Sequence, residues 1–422
     1  MKVWIIQTAE PIHIDKPGMR PMRAMNLADA LVDSGHEVCI WTTGFLHSTK
    51  KHRTKRFVLE TINNKLSIAL IPSIGYKKNL GIRRVIDHIQ LALNLRKRLR
   101  SSLDNPPDLV FIGYPPIETS FISLSIFLKR NIPTVIDVKD LWPTIFLEFF
   151  PVFLRPFFRI LFSPYYVLAK ITFRKATVLS AMSKEYIEWI YRFSGRKINN
   201  FDLITPLTSK IRKNSLDELL EAEKWWKQYG VEKTDIRRFC FVGYFNYMYD
   251  FNIIKEVAKR FKEKNIKCQF LLCGSGGEAY EQVKNSLRGL ENVVFPGWID
   301  SPKIEFLSQC CSGSIMPYRN IENFKLNITN KVSDSLHYGL PIITTLEGAL
   351  KNLIQTYKVG YSCPKDNPEE FFRNIKLLLD NEELRNRLSK NAINLYKKKF
   401  DSEKVYSDLI NALEQIANKK IN

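Results

Sequence analysis

Two short stretches of this 422-residue chain carry the side chains best spaced for chemistry on a polar, anionic substrate. In Thr329–Thr345, TNKVSDSLHYGLPIITT, Thr329 and Asn330 are helix-capping types, Val332 and Leu336 mark an apolar face, and Gly339 with Pro341 ends the helix before an Ile-Ile-Thr-Thr strand. The N–H groups and positive dipole of such a helix suit an anion at the edge of a parallel sheet. Lys331 in the first turn opposes the dipole, and a negative partner would account for it. Asp334, one turn further on, could accept hydrogen bonds from a sugar diol, although the same spacing also suits solvated charges on a surface helix. The second stretch, Asp137-Val138-Lys139-Asp140-Leu141-Trp142-Pro143, follows a Thr-Val-Ile strand. Two carboxylates three apart at a strand end suit hydroxyl binding or proton transfer. Alternatively, Asp137 caps the next helix with Asp140 as its partner, and Lys139 is a solvated charge.

Alternating strands and amphipathic helices must position these groups, as in a doubly wound α/β fold. The first half predicts buried parallel strands at Val3–Ile6, Glu37–Trp41, Leu109–Ile112, Thr134–Asp137 and Thr177–Ala181, with helices near Arg20–Ser34, Val85–Leu103 and Ser120–Lys129. The pattern restarts with Phe239–Gly243, a helix over Ile253–Lys264, Gln269–Cys273, Val293–Phe295 and Gly313–Met316. Two domains follow, 1–202 and 203–400, with a last segment, 401–422, that starts a helix at Asp401. Ligands of such sheets sit beyond the carboxyl ends of strands, which directs attention to the loop with His13, Gly18 and Arg20 after the first strand. A lone glycine before a helix is a weak phosphate signal and also reads as a turn.

Composition narrows the classes. Apolar residues make up 45% and charged residues 25%, as in a globular protein. Seven cysteines without C-x-x-C spacing read as reduced core residues of a cytoplasmic protein, and six scattered histidines leave no metal-ligand spacing. The N-terminus lacks a long apolar stretch, so no signal peptide is expected. The net charge of +21 is concentrated in residues 1–200, with 30 Lys and Arg against 15 Asp and Glu. Such a field favours phosphate-bearing partners, either nucleic acid or an anionic membrane.

A hydrophobic band bears on that choice. Trp142–Phe173 holds ten Phe and Tyr, yet Glu148, Arg155, Arg159 and Lys170 keep any uninterrupted apolar run below the roughly 20 residues needed to span a bilayer. Arg155 and Arg159 share a helix face, with Phe157, Phe158, Leu161 and Phe162 around the remainder and Phe158 and Phe162 expected to face the membrane, the look of an interfacial helix, although a buried helix has the same pattern. With no base-reading or stacking motif, an anionic membrane surface is expected over nucleic acid.

The Thr329–Thr345 run resembles the donor-binding helix of family 4 retaining GT-B glycosyltransferases, in the bacterial O-antigen and capsule polysaccharide form, and Asp137–Pro143 resembles the D-x-R-D-L-W-P stretch of that subgroup. The resemblance implies an α/β fold of GT-B type, two Rossmann-like doubly wound domains facing across a cleft, with an N-terminal acceptor domain, a C-terminal nucleotide-sugar domain, and a final helix packing back on the first. It implies retaining transfer of a hexosyl or N-acetylhexosaminyl group from a UDP-linked donor to a lipid-linked saccharide. The setting would be lipopolysaccharide or capsule biosynthesis, with the protein peripheral on the inner face of the plasma membrane and without metal or other cofactor. By the same resemblance Lys331 and Arg20 meet the diphosphate, Asp334 the ribose and Asp140 the acceptor. Gly18, Gly243, Asn246, Gly274, Trp298 and Asn330 line the donor site. Two departures stand out: Leu326 occupies the place of a sugar-binding Glu, and the turn at Gly243-Tyr244-Phe245-Asn246 lacks the usual Arg and Lys clamp. A polyanion-binding protein and a catalytically impaired relative are the competing expectations.

Overall fold

The computed structural model describes residues 1–15, 19–78, 81–234, 236–363 and 367–418. Gly18 lies outside the described residues. The chain divides into two compact units, Met1–Ser209 with Ser402–Asn422, and Lys210–Asp401.

The first unit opens with β1 (Lys2–Ile6), α1 (Arg23–Asp33), β2 (Glu37–Thr43), the small pair β3 (Phe45–Leu46) and β4 (Lys51–His52), then β5 (Val58–Thr61) and β6 (Leu66–Ile71). It continues through α2 (Ile82–Ser101), β7 (Leu109–Tyr114), α3 (Ile117–Leu128), β8 (Thr134–Val138), α4 (Arg155–Leu161), α5 (Ser163–Lys175), β9 (Val178–Ala181), α6 (Lys184–Ser194) and β10 (Leu203–Ile204). Its main sheet runs β10-β9-β8-β7-β1-β2-β6-β5, parallel except for the edge strand β5. Side chains alternate across the sheet, so Val3 and Ile5 join Leu27, Leu31 and Phe111 on one face while Trp4 packs against Trp41 and Phe127 on the other. Both faces are covered, hence the continuous apolar runs in the sequence. The unit extends past the expected boundary at 202 to Ser209, because Leu203 and Ile204 pair with Ser180 and Ala181. The last helix belongs to this unit as well; within it Tyr406, Leu409 and Leu413 join the α1 face of the core.

In the second unit α7 (Leu216–Lys227) starts on a Ser215 capping box. There follow β11 (Arg237–Tyr244), α8 (Asn252–Glu263), β12 (Cys268–Ser275), α9 (Glu278–Ser286), β13 (Val293–Gly297), α10 (Ser301–Cys310) and β14 (Gly313–Met316). The unit closes with α11 (Glu322–Lys325), α12 (Asn330–His337), β15 (Ile342–Thr344), α13 (Ala349–Tyr357), β16 (Gly360–Ser362), α14 (Pro368–Asp380) and α15 (Glu382–Leu395), before α16 (Ser402–Asn418) of the first unit. The parallel sheet has the order β13-β12-β11-β14-β15-β16. That order reverses direction between β11 and β14, the topological switch point at which open α/β sheets bind ligands. Val332 and Leu336 bury one face of α12 in the core, which leaves Lys331 and Asp334 half-buried at its margin.

Candidate functional site

The carboxyl end of β11 is built around glycines. Gly243 pairs with Gly274 of β12, and Gly274 has a φ of 142°, a conformation side chains disfavour; a Cβ there would run into the Gly243 carbonyl. A Cβ at Gly243 would stand 2.6 Å from Lys331 Nζ. The missing side chain is the space through which Lys331 reaches from α12 across the strand end. There its ammonium lies 5.8 Å from the Phe241 ring centre and 5.5 Å from that of Tyr249, within cation–π range.

The start of α12 is polar. No side chain caps it, since the Thr329 hydroxyl is engaged with the Tyr318 hydroxyl at 2.9 Å. Asn327 Oδ1 and Asn330 Oδ1 are buried there without a hydrogen-bond partner. Buried polar atoms in native proteins are normally paired, and two orphans at a helix start are what a site built for a polar ligand leaves behind. Asn246 is otherwise committed: its Oδ1 accepts from the Met248 N–H at 3.0 Å and shapes the turn after β11. Trp298, just beyond β13, is 66% exposed and therefore no core residue. Asp334 sits one turn into α12; its charge favours protonation of His337, but burial has the larger effect and lowers the His337 pKa.

In the first unit the carboxylates of the second stretch separate in role. Asp137 is 1% exposed, accepts from Ser180 Oγ at 2.8 Å, and is flanked by Arg23 Nε at 3.5 Å and Lys139 Nζ at 3.6 Å. Lys139 also pairs with Glu10, whose carboxylate takes the Ala24 N–H at the start of α1. Both expectations for Asp137, substrate group and helix cap, give way to a buried ionic brace, because Arg23 and Ser180 reach it from elements far apart in sequence and Lys139 from the loop just after it. Asp140 is half-buried in the loop that follows. That loop is pinned by Tyr114, whose hydroxyl donates to the Trp142 carbonyl at 2.6 Å, and by Tyr186, which donates to the Lys139 carbonyl at 3.0 Å. Arg20 is exposed, with Nε 3.5 Å from Ser209 Oγ. His13 pairs with Asp29 at 2.7 Å.

Sequence reading missed a pocket at the carboxyl edge of the first sheet, lined by Thr8, His47, Tyr76, Arg84, His88 and Trp142 and holding about 50 Å³, room for a few waters or one phosphate-sized group. The His88 ring stacks on Trp142 at 5.9 Å between centres, and the Arg84 guanidinium lies 5.2 Å from the Trp142 ring centre. Burial, reinforced by Arg84, pushes His88 down to about 3; burial with Lys50 and Arg84 pushes His47 down to about 4. Both imidazoles are neutral near pH 7. Burial also raises the Glu118 carboxyl, 3.8 Å from His88 Nδ1. The available signal was Arg84 and His88, one turn apart on a basic helix.

The aromatic band is corrected in its orientation. Phe158 stacks on Phe150 at 3.5 Å between ring centres, and Phe162 packs against Phe146, so these two rings point inward. Arg155 is half-buried, its Nε donating to the Phe150 carbonyl, while Arg159 is exposed. The exposed rings and branches belong instead to Val152, Phe153, Phe157, Ile160 and Leu161. Among the described residues no single helix is long and apolar enough to cross a membrane, and Val152–Leu161 meets Ser163–Lys175 at a 68° bend.

Solved structures with this architecture cover almost the whole chain. Sucrose-phosphate synthase from Thermosynechococcus elongatus superimposes with a TM-score of 0.72 at 13% identity, covering 98% of each chain. WaaG, a glycosyltransferase involved in lipopolysaccharide biosynthesis, gives 0.66 at 13% identity over 98% of this chain and 99% of its own. Anabaena Alr3699/HepE in complex with UDP gives 0.67 at 13% identity, over 98% and 100%. The fold is GT-B. Within this GT-B chain, residues 223–395 match the family described as glycosyl transferases group 1, a span that contains Gly243, Gly274, Trp298, Asn330, Lys331 and Asp334. By sequence the chain is 25% identical over 184 residues to O-antigen chain mannosyltransferase C of Escherichia coli, covering 43% of this chain and 47% of that protein. It is 26% identical over 243 residues to the uncharacterized glycosyltransferase MJ1178 of Methanocaldococcus jannaschii, covering 56% and 65%. The chain thus spans between about half and two thirds of the length of these relatives.

Proposed function

We propose that this chain is a retaining glycosyltransferase of family 4 that moves a hexosyl or N-acetylhexosaminyl group from a UDP-linked donor to a lipid-linked saccharide at the inner face of the plasma membrane, in O-antigen or capsule assembly. The observation that carries it is Lys331 laid across the Gly243 and Gly274 strand ends beside the uncapped start of α12. A fixed ammonium and a helix N-terminus, aimed where a diphosphate would leave, stabilise developing negative charge without reorganising. They also offset the absence of the basic clamp at Tyr244–Asn246. Asp334 is assigned to the ribose, Asn330 and Trp298 to the rest of the donor, and Arg20 and Asp140 to phosphate and acceptor contacts on the first unit. The assignment needs no metal, following the resemblance; the likeness to an O-antigen chain mannosyltransferase and to HepE, solved in complex with UDP, supports the substrate classes.

Calorimetric titration of the wild type and Asp334→Ala with UDP, GDP and single-stranded DNA at two salt concentrations tests this reading. Saturable diphosphate binding, weakened at least ~10-fold by the substitution, is expected; ~10-fold corresponds to about 1.4 kcal/mol. Salt-steep DNA binding alone, indifferent to the substitution, would instead identify a polyanion-binding protein.

A further inference from the structure

We propose that α4, α5 and the outer stripe of α2 form one face that docks on an anionic lipid bilayer, with the Trp142 pocket opening between its two apolar elements. This deepens the transferase reading by naming the surface that would bring it to a lipid-borne acceptor, but the docking stands on its own observations. On α4 and the turn before it, Phe153 is 79% and Ile160 75% exposed, joined by Val152, Phe157 and Leu161. On α2, Ile82, Ile86, Ile89 and Leu93 recur four, three and four residues apart and are all exposed, while Leu91, Leu95 and Leu99 face the core. This doubles the normal arrangement, because α2 is amphipathic with a second apolar stripe on its solvent side.

The two elements lie on the same side of the sheet: α2 packs on α3, and α3 on α5. The pocket joins them directly, since Arg84 and His88 come from α2 and Trp142 lies in the loop that leads from β8 toward α4. From Trp142 a chain of ring contacts runs outward through Phe146, Phe162 and Phe158 to the exposed Phe157, with centres 4.7, 5.6, 6.1 and 5.4 Å apart. Charge selects the occupant. No Asp or Glu occurs between Glu148 and Glu185, whereas Arg155, Arg159, Lys170, Arg174 and Lys175 do. On α2 the basic residues Arg83, Arg96, Lys97 and Arg100 are exposed around the apolar stripe. Apolar side chains framed by basic ones match the boundary of an anionic bilayer, where the former enter the acyl region and the latter meet headgroup phosphates. Neither α4 nor α5 is by itself long enough to cross a bilayer, and the 68° bend between them lets both lie in the interface.

Flotation of the full chain with vesicles of phosphatidylcholine alone, or with phosphatidylglycerol added, tests the docking. Binding to the anionic vesicles, reduced at least ~10-fold by the double variant Phe153→Glu and Ile160→Glu and separately by Ile86→Glu, is expected. Circular dichroism and UDP titration of each variant, unchanged from the wild type, exclude misfolding. Absent vesicle binding in a wild type that still titrates UDP would overturn the docking while sparing the transferase reading. Binding that survives both apolar variants would overturn it in favour of charge attraction alone. A dimer in light scattering that Phe153→Glu dissolves, without vesicle binding, would assign the face to a second copy of this chain.

Discussion

The tip of the Lys331 side chain occupies the space in which a side chain at position 243 would begin. A lysine on one element and a glycine on another are thereby a single device. The glycine lets the ammonium lie against the strand end, and the Phe241 and Tyr249 rings hold it there. Lys331→Met keeps the alkyl stem and removes the charge. UDP affinity is expected to fall at least ~10-fold by calorimetry, in the range of a lost charge-assisted hydrogen bond of about 1.5–3 kcal/mol, with little change in Tm.

Gly243→Ala displaces that side chain without touching its charge. A comparable loss of UDP affinity is expected, and the flexible lysine can move aside, so the thermal midpoint should change little. Gly274→Ala meets backbone instead, the carbonyl of Gly243, in a strained conformation. It is expected to destabilise by about 1–3 kcal/mol, read as a lower denaturation midpoint. Equal stability in the two variants would contradict the geometry.

Asp137→Ala leaves Arg23 without its buried counter-charge and Lys139 with Glu10 alone. Breaking such a pair costs about 3–5 kcal/mol. The expected result is a protein whose urea midpoint falls sharply while Asp140→Ala leaves it nearly unchanged. If Asp137→Ala were as stable as the wild type, the buried brace would have no structural role.

Acid stability should report the pocket. His88, held down to about 3 in the fold against an ordinary 6.5, binds fewer protons folded than unfolded between those values. Its neutral form therefore costs nothing above about pH 6.5, and stability falls as pH drops from there toward 3. The raised Glu118 carboxyl acts in the opposite direction, since the folded state takes up its proton more readily. Urea midpoints of wild type and His88→Gln between pH 7 and 5 should diverge, the wild type losing more. Parallel curves would place His88 in solvent.

Much of the architecture was legible because it is written in local periodicity. Strands such as Val3–Ile6 and Gly313–Met316 are apolar runs flanked by turn residues, and the observed elements differ mainly at their ends. β6 was missed because Leu66–Ile71 sits behind an exposed edge strand, where no helix separates the two and the alternation with helices fails. The α12 start was legible in its capping residues, as was the glycine at the end of β11. What made them one site was not, since Lys331 and Gly243 meet only when the switch point brings β11 beside β14.

Sequence alone thus determined the repeated strand and helix plan, the basic excess of the first half, and the polar start of α12, all properties of residues near one another in the chain. Only tertiary structure decided that Asp137 is a brace, that Phe158 and Phe162 turn inward while Phe153 and Ile160 turn outward, and that Arg84, His88 and Trp142 share a pocket. The reason is physical: a side chain's role depends on which partners remove it from water, and here those partners come from distant segments.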